Sequence, residues 1–156
     1  MKKLLFTFLF LSQSLLAFSQ FYNDFSDGDF TNNPSRNGDS LKFVIDSLGI
    51  LHHKKDTSNG EYTLFIESKL SQNAMWQFKT HYDFAPSTSN YAKVYLMSDI
   101  KYISNTLNSY FVKIGEVSGL IDDISLYLQK GGVEIKIIDG EDGTTERFKQ
   151  VVVLSR

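Results

Sequence analysis

The sequence predicts an all-β, antiparallel fold, arranged as a sandwich or a barrel. Short apolar runs recur between turn signals, at spacings of roughly 8 to 15 residues, as in sandwiches and barrels. The clearest run alternates strictly, with Trp76, Phe78, Thr80, Tyr82 and Phe84 on one side and polar residues between them. No stretch keeps the apolar spacing of a helix for more than a turn or two. Together these patterns indicate strands that each bury one face.

About nine or ten strands are predicted in series. After a short edge strand and a turn-rich loop between residues 21 and 40, they cover 43–45, 50–52, 62–66, 76–84, 91–97, 110–115, 124–129, 133–138 and 147–154. Asn59-Gly60 is a hairpin-turn candidate, and Lys130-Gly131-Gly132 marks another turn. The last strand ends close to Arg156, so either an earlier strand covers it or the domain is incomplete.

The first nineteen residues predict an export signal. Lys2 and Lys3 precede an apolar run, and Ala17 and Ser19 supply the small residues that signal peptidase requires three and one positions before its cut. The alternative is a membrane anchor, but the run is shorter than the roughly 20 apolar residues of a spanning helix. We therefore expect a cleavable signal peptide at 1–19 and one module at 20–156, delivered to the periplasm, the cell surface or the outside of a Gram-negative bacterium.

The composition of the exported part excludes several classes of protein. Removing residues 1–19 takes away two of the 16 basic residues and none of the 18 acidic residues, which leaves a net charge of −4. A nucleic-acid partner would require a clustered basic face instead. The chain has no cysteine, so it forms no disulfide, no thiolate metal site and no lipoprotein anchor. The whole chain has 13 Phe, nine of them outside residues 1–19, and 8 Tyr, which indicates that burial alone stabilises the fold.

Four ordered segments resemble a known family. They are NDFSDGDFTNNP (23–34), SNYAKVYLMSD (89–99), SYFVKIGEVSGLIDDISLYLQKGG (109–132) and KIIDGEDG (136–143). They are similar to the amino-terminal β-sandwich module of large secreted bacterial proteins with lamin-tail domains, within the concanavalin A-like lectin/glucanase superfamily. The resemblance implies a two-sheet jelly roll. This chain has Arg36 where such modules have tryptophan, and it ends soon after Val153 where they continue, which implies a fragment without its closing strands.

No catalytic motif is present, and the chain is predicted not to be an enzyme. Glucanases of that superfamily carry Glu-x-Asp-x-x-Glu, which sets two carboxylates about 5–5.5 Å apart for retaining chemistry, and this chain lacks the pattern. Glu116, Asp122 and Asp123 lie in or beside a Gly/Ser loop, where the two neighbouring aspartates would point to opposite faces of a strand. Residues 115–119 are one position out of register for Gly-x-Ser-x-Gly. We interpret these acids as solvated loop residues.

No cofactor is predicted, and the alternative that the acidic residues leave open is calcium. Asp24, Asp27 and Asp29 offer carboxylate oxygens within one loop, and calcium takes six to eight oxygen ligands. The spacing does not match an EF-hand, and local Asx turns explain the same residues without a metal. His52 and His53 are neighbours on a strand, so they face opposite ways and cannot chelate one ion together.

A ligand-binding face is the main functional hypothesis. If the alternating strands pair as a meander, one exposed surface gathers aromatic and long polar side chains: Lys79, His81, Tyr91, Lys93, Tyr95, Lys113, Tyr127 and Gln129. Glycan-binding sheets combine rings that stack on sugars with polar groups that bind hydroxyls, whereas an ordinary solvated sheet face has a similar composition. The hypothesis is a secreted, non-catalytic module that binds a glycan or another surface ligand. The alternatives are a glycoside-active or calcium-dependent enzyme domain of the same fold, or a structural spacer without ligand.

Changing Ala17 to Asp should block signal cleavage, because a charged side chain does not fit the small pocket that receives the third residue before the cut. The exported wild-type chain should begin at Gln20, as measured by the intact mass of the purified product. Phe18→Leu, at the unconstrained position between Ala17 and Ser19, serves as the control and should be cleaved normally. A mature Ala17→Asp product that also begins at Gln20 would contradict the assigned site.

Overall fold

The computed structural model describes residues 22–32, 34–54, 60–68, 74–82, 86–115 and 123–141, and the backbone of 150–155. Within these residues the chain is all-β, as predicted, with one short 3-10 turn at Ser40–Lys42. The contacts divide it into two compact units, Met1–Ile66 and Glu67–Arg156. The described part contains no helix long and apolar enough to cross a bilayer. The predicted signal at 1–19 and Asn59 of the predicted hairpin turn lie outside the described residues.

The first unit contains two small antiparallel pairs. Strand β1 (Asn37–Gly38) pairs with β4 (Leu64–Phe65), and β2 (Phe43–Ile45) pairs with β3 (Leu51–His53). The short edge strand expected after the signal is replaced by turns over the described residues 22–32, where polar side chains bind the backbone locally. The other strands of this unit lie close to their predicted positions.

Asp46 holds the β2–β3 turn together. Its Oδ1 accepts hydrogen bonds from the backbone N–H groups of Leu48 and Ile50, each at 2.9 Å. Its Oδ2 lies 2.7 Å from Nε2 of His52 on the returning strand. The bond from Ile50, and then the bond to His52, lower the pKa of Asp46. One carboxylate therefore joins the turn backbone to the strand that follows it.

In the second unit, the last strand is covered by an earlier one. Strand β10 (Gln150–Ser155) pairs antiparallel with β5 (Met75–Thr80) over six positions. The backbone of the predicted last strand therefore has an earlier strand as its partner. The predicted alternation of β5 is confirmed, since Trp76, Phe78 and Thr80 are half-buried and the residues between them are exposed.

The larger sheet is a four-stranded antiparallel meander. Its strands are β6 (Ala92–Ser98), β7 (Ser109–Ile114), β8 (Ile124–Lys130) and β9 (Val133–Ile138), in that order. Gly131 and Gly132 form the two-residue turn between β8 and β9, with φ of 57° and 84°. Both values lie in the left-handed region, as the turn type that suits a right-twisted hairpin requires. The four strands match the predicted positions within about one residue at most ends.

The core of this unit lies on β7 and in the loop before it. Leu107, Phe111, Val112 and Ile114 are all 2 % exposed or less. Phe111 and Val112 are neighbours on one strand and so point to opposite faces, which means that both faces of the central strand are buried there. Gly115 ends β7 with a φ of 88° and lies against Pro86. The sheet is therefore centred on β7 and β8.

Gly115→Ala should destabilise the fold more than Gly131→Ala. A Cβ at Gly115 would overlap the Cβ of Pro86, whereas a Cβ at Gly131 meets no described atom within 4 Å. Both positions have positive φ, which costs an L-residue about 1–2 kcal/mol, and overpacking at Gly115 adds about 1–3 kcal/mol. Urea unfolding monitored by tryptophan fluorescence measures both. Equal losses of unfolding free energy in the two variants would contradict the close approach of Gly115 and Pro86.

Candidate functional site

The register of the four-stranded sheet brings polar and aromatic side chains onto one face. Residues directly opposite each other on paired strands share a face of the sheet. Three rows cross the sheet in this way: Lys93–Lys113–Ser125, Tyr95–Phe111–Tyr127–Lys136 and Ser109–Gln129–Glu134. We call the set Tyr91, Lys93, Tyr95, Phe111, Lys113, Tyr127 and Glu134 the lysine–tyrosine face.

A row of aromatic rings forms the base of the lysine–tyrosine face. The ring centroids of Tyr95 and Phe111 are 5.2 Å apart and tilted by 41°. Those of Phe111 and Tyr127 are 5.3 Å apart and nearly parallel, with an interplanar angle of 9°. Both distances lie in the favourable range for aromatic pairs. Phe111 is fully buried and Tyr127 is 9 % exposed, so the row is part of the core.

Two lysines lie across these rings. The Nζ atom of Lys93 is 5.2 Å from the ring centroid of Phe111 and 5.4 Å from that of Tyr91. The Nζ atom of Lys113 is 4.8 Å from the centroid of Tyr91 and 5.7 Å from that of Tyr127. Cations at these distances are attracted to the ring faces, and the aliphatic stems keep water from the rings.

Glu134 joins both lysines from the far edge of the sheet. Its Oε1 accepts a 2.6 Å hydrogen bond from Nζ of Lys93, which starts on β6 and crosses over β7 and β8. Its Oε2 is 3.8 Å from Nζ of Lys113, an ion-pair distance that is too long for a hydrogen bond. Burial lowers the pKa of Lys93, but the bond to Glu134 and nearby groups outweigh burial, so its pKa is raised. The three groups carry one net positive charge.

A second polar group lies beside the ring row, and we call it the aspartate–lysine cluster: Asp123, Ser125, Lys136 and Asp139. The hydroxyl of Ser125 is 2.7 Å from Oδ2 of Asp123 and 3.3 Å from Oδ1 of Asp139. Nζ of Lys136 is 2.5 Å from Oδ1 of Asp139 and 3.6 Å from Oδ2 of Asp123. The bond to Lys136, followed by the contact with Asp123, lowers the pKa of Asp139. Lys136 therefore neutralises part of a carboxylate pair.

Strand pairing brings six of the eight predicted ligand residues together. The pairings place Lys93, Tyr95, Lys113, Tyr127 and Gln129 on one face of the sheet, and Tyr91, just before β6, lies against the two lysines on that face. Lys79 lies on β5 and His81 just beyond the end of that strand, and β5 pairs with β10. Among the described strands, β5 pairs with β10 and β6 pairs with β7, so the meander expected to run from β5 to β6 is not formed.

The face is less exposed than the sequence suggested. Tyr127 and Gln129 are 9 % and 7 % exposed, although the hypothesis of a glycan-binding sheet placed both on an open surface. The reason is that Tyr127 stacks on Phe111 and lies under Lys113. Tyr91 and Tyr95 remain half-buried, so they form the accessible aromatic part of the face.

Sequence reasoning missed several residues of these groups. Glu134 and Lys136 enter because the hairpin pairs Gln129 with Glu134 and Tyr127 with Lys136. Counting outward from the Gly131-Gly132 turn would have found both, since a two-residue turn defines the register. The sequence marks Phe111 only as a residue of the strand predicted over 110–115. Asp139 joins Asp123 only because an irregularity between Lys136 and Ile138 shifts the register of β9.

The three aspartates proposed for calcium are used by the local backbone. Oδ1 of Asp24 accepts from the N–H of Ser26 at 3.1 Å, and Oδ1 of Asp27 accepts from the N–H of Asp29 at 3.1 Å. Oδ1 of Asp29 accepts from the N–H of Thr31 at 2.6 Å, and bonds from the hydroxyl and backbone of Thr31 lower the pKa of Asp29 to about 2. Among the described residues, no three acidic or histidine side chains form a metal-binding group. Asx turns account for what these carboxylates do in the structure.

Comparison with protein-family models, with curated proteins and with solved structures finds no match for this chain.

Lys136→Met should raise the pKa of Asp139, because the ammonium group that contributes most to lowering it is removed. A lowered pKa stabilises the fold above the unfolded pKa of about 3.9, and that contribution is lost as pH falls through the folded value. The variant should therefore lose this contribution. NMR titration of the carboxyl carbons measures the change, and Asp29, with a pKa of about 2, is the internal control. An unchanged Asp139 titration would contradict the pairing.

Proposed function

We propose that the chain is an exported, non-catalytic module of jelly-roll type that binds a glycan through the lysine–tyrosine face. The all-β architecture of antiparallel sheets supports the fold part of the proposal. The jelly-roll arrangement and the glycan as ligand rest on the resemblance to concanavalin A-like modules, and both are therefore part of the proposal. The site is now narrower than the eight residues predicted from sequence.

The observation that carries the proposal is the position of the Lys113 ammonium group. It lies between the rings of Tyr91 and Tyr127 and is only 19 % exposed. Its 3.8 Å separation from Glu134 leaves an ion pair without a hydrogen bond. An ammonium group has three donors, so this one is oriented and retains the capacity to bond an incoming oxygen. Such preorganisation lowers the cost of binding.

The charge of the face indicates which sugars suit it. Lys93 and Lys113 share the single carboxylate of Glu134, so an anionic substituent on the ligand would complete the pairing. Tyr91, half-buried at the rim, offers an aromatic surface for the sugar ring. We therefore propose a saccharide that carries a carboxylate or a sulfate group. Binding that depends on this charge weakens as salt is added.

The enzyme alternative rests on one feature, the pair formed by Asp123 and Asp139. Both carboxylates contact the same hydroxyl and the same ammonium group. Retaining glycosidases instead keep their two carboxyl groups about 5–5.5 Å apart, with one ionised and one protonated. Lys136, which is held between the two aspartates, favours a structural role for them. Release of reducing sugar by the wild-type chain, lost in Asp123→Asn, would support the enzyme.

The spacer alternative rests on the burial of Tyr127 and Gln129. A face whose charged groups pair with one another needs no ligand to be stable. The binding experiment distinguishes a spacer from a glycan-binding module, because a polysaccharide gel would not retard a spacer.

Lys113→Met should weaken binding of an acidic polysaccharide about tenfold, which corresponds to about 1.4 kcal/mol. Methionine keeps most of the stem that covers the rings and removes only the ammonium group. Affinity electrophoresis through gels with a polyuronate, a sulfated polysaccharide or a neutral β-glucan measures retention of the exported chain. Lys79→Met, the same change on β5, is the matched control and should behave as wild type.

Two results would overturn the proposal. One is that no gel retards the wild-type chain, which favours the spacer. The other is that Lys113→Met and Lys79→Met are retarded equally, which moves any glycan site away from this face. Retardation in the neutral gel alone would keep glycan binding and exclude the acidic substituent.

A further inference from the structure

Strand β9 forms an edge of the four-stranded sheet and carries an exposed apolar surface. Val133, Ile135, Ile137 and Ile138 are 62 %, 49 %, 47 % and 57 % exposed. Among the described strands, β9 pairs with β8 and with no strand on its outer side. Exposed edge strands of this composition present unpaired N–H and C=O groups and are places where further strands add. The question is which strand fits this edge.

The hairpin determines which backbone groups of β9 face outward. Lys130 and Val133 are partners across the Gly131-Gly132 turn, and in a two-residue turn of this kind the N–H of the second partner points to the carbonyl of the first. Backbone groups alternate in direction along an antiparallel strand. Glu134 and Lys136 therefore direct their N–H and C=O groups toward the open edge, while Ile135 directs its groups toward β8. The outer edge offers two binding positions separated by one residue.

That arrangement is complementary to a second copy of itself. If two copies of β9 pair antiparallel about a twofold axis at Ile135, Glu134 of each copy lies opposite Lys136 of the other. Both residues direct their backbone groups outward, so each such pair exchanges two hydrogen bonds. Their opposite charges are then direct cross-strand neighbours, which is favourable. Ile135 lies opposite its own equivalent on the other face.

The apolar face continues across the same axis. Met97, Tyr110, Leu128 and Ile135 form one row across the sheet, and Tyr110 is 39 % exposed. Pairing at Ile135 would join this row to its equivalent in the second copy. The irregularity between Lys136 and Ile138 bends the strand just beyond the paired positions, and such bulges limit edge pairing. The contact is therefore short and closed by its own symmetry.

We propose that the protein forms a weak, reversible homodimer through antiparallel pairing of β9, with the twofold axis at Ile135. The occupant of the edge is a second copy of this chain because the charges and the outward backbone groups match in that register. The proposal does not depend on glycan binding, because its backbone bonds lie at the edge and its apolar contacts lie on the opposite face; only the Glu134–Lys136 charge pairs lie on the lysine–tyrosine face. A small interface of this kind belongs to the transient class.

Substituting Ile135 with a charged residue of either sign tests the dimer and its register together. The exported wild-type chain should be half dimeric at roughly 100 µM, between the millimolar and micromolar points of the affinity scale, as measured by sedimentation equilibrium. Ile135→Lys and Ile135→Glu should each be monomeric at that concentration, because like charges would face each other across the axis. An equimolar mixture of the two variants should recover a heterodimer, since lysine then lies opposite glutamate.

Val44→Lys is the matched control. Val44 is an exposed strand residue of β2, 42 % exposed, and its substitution should leave the dimer unchanged. Far-UV circular dichroism and melting temperatures show whether each variant is folded, so loss of the dimer is distinguished from loss of the fold. A monomeric wild-type chain overturns the proposal. Dimerisation of both single variants, or two folded variants that do not form a heterodimer, overturns the register and with it the proposal.

Discussion

The larger sheet depends on keeping water away from the ring row of Tyr95, Phe111 and Tyr127. Burying one large apolar side chain contributes about 1.5–3 kcal/mol, and a well-placed ring pair about 0.5–1.5 kcal/mol more. An exposed ion pair contributes about 0–1 kcal/mol, and for a partly buried pair the cost of desolvating the two charges offsets much of the stronger attraction. The rings therefore dominate the stability of this face. Lys93 and Lys113 matter first as cover for the rings, and their charges then require a partner, which Glu134 supplies from the opposite edge.

This dependence bears on the proposed binding of a glycan to the lysine–tyrosine face. Its charged groups already pair with each other, so a ligand has to exchange contacts with them instead of meeting bare side chains. Lys93 makes a 2.6 Å bond to Glu134, whereas Lys113 stands 3.8 Å away. Lys113 is the group that loses least when a new anion arrives. A ligand that brings its own negative charge fits that imbalance better than a neutral one.

The burial of the two faces of the sheet is the reverse of what their residue types suggest. The polar and aromatic side is largely sealed, while isoleucines on β9 remain exposed at the edge. Lysine stems and stacked rings can cover each other because each lysine has a long apolar stem. The isoleucines of an edge strand have no such cover unless another strand is added. The strand register of the sheet thus produces both the covered lysine–tyrosine face and the exposed isoleucines of β9.

The sequence by itself determined the all-β class and the positions of most strands, because alternation with period two and turn residues are local signals. It also placed six ligand candidates on one face, since the alternation within each strand decides which side a residue points to. It could not place β10 beside β5, because partner choice between distant strands is not a local property. Tertiary structure alone decided that Lys93 meets Glu134 across two strands and that Asp139 meets Asp123 past an irregular register. Those contacts join residues distant in sequence, so only the assembled sheet brings them together.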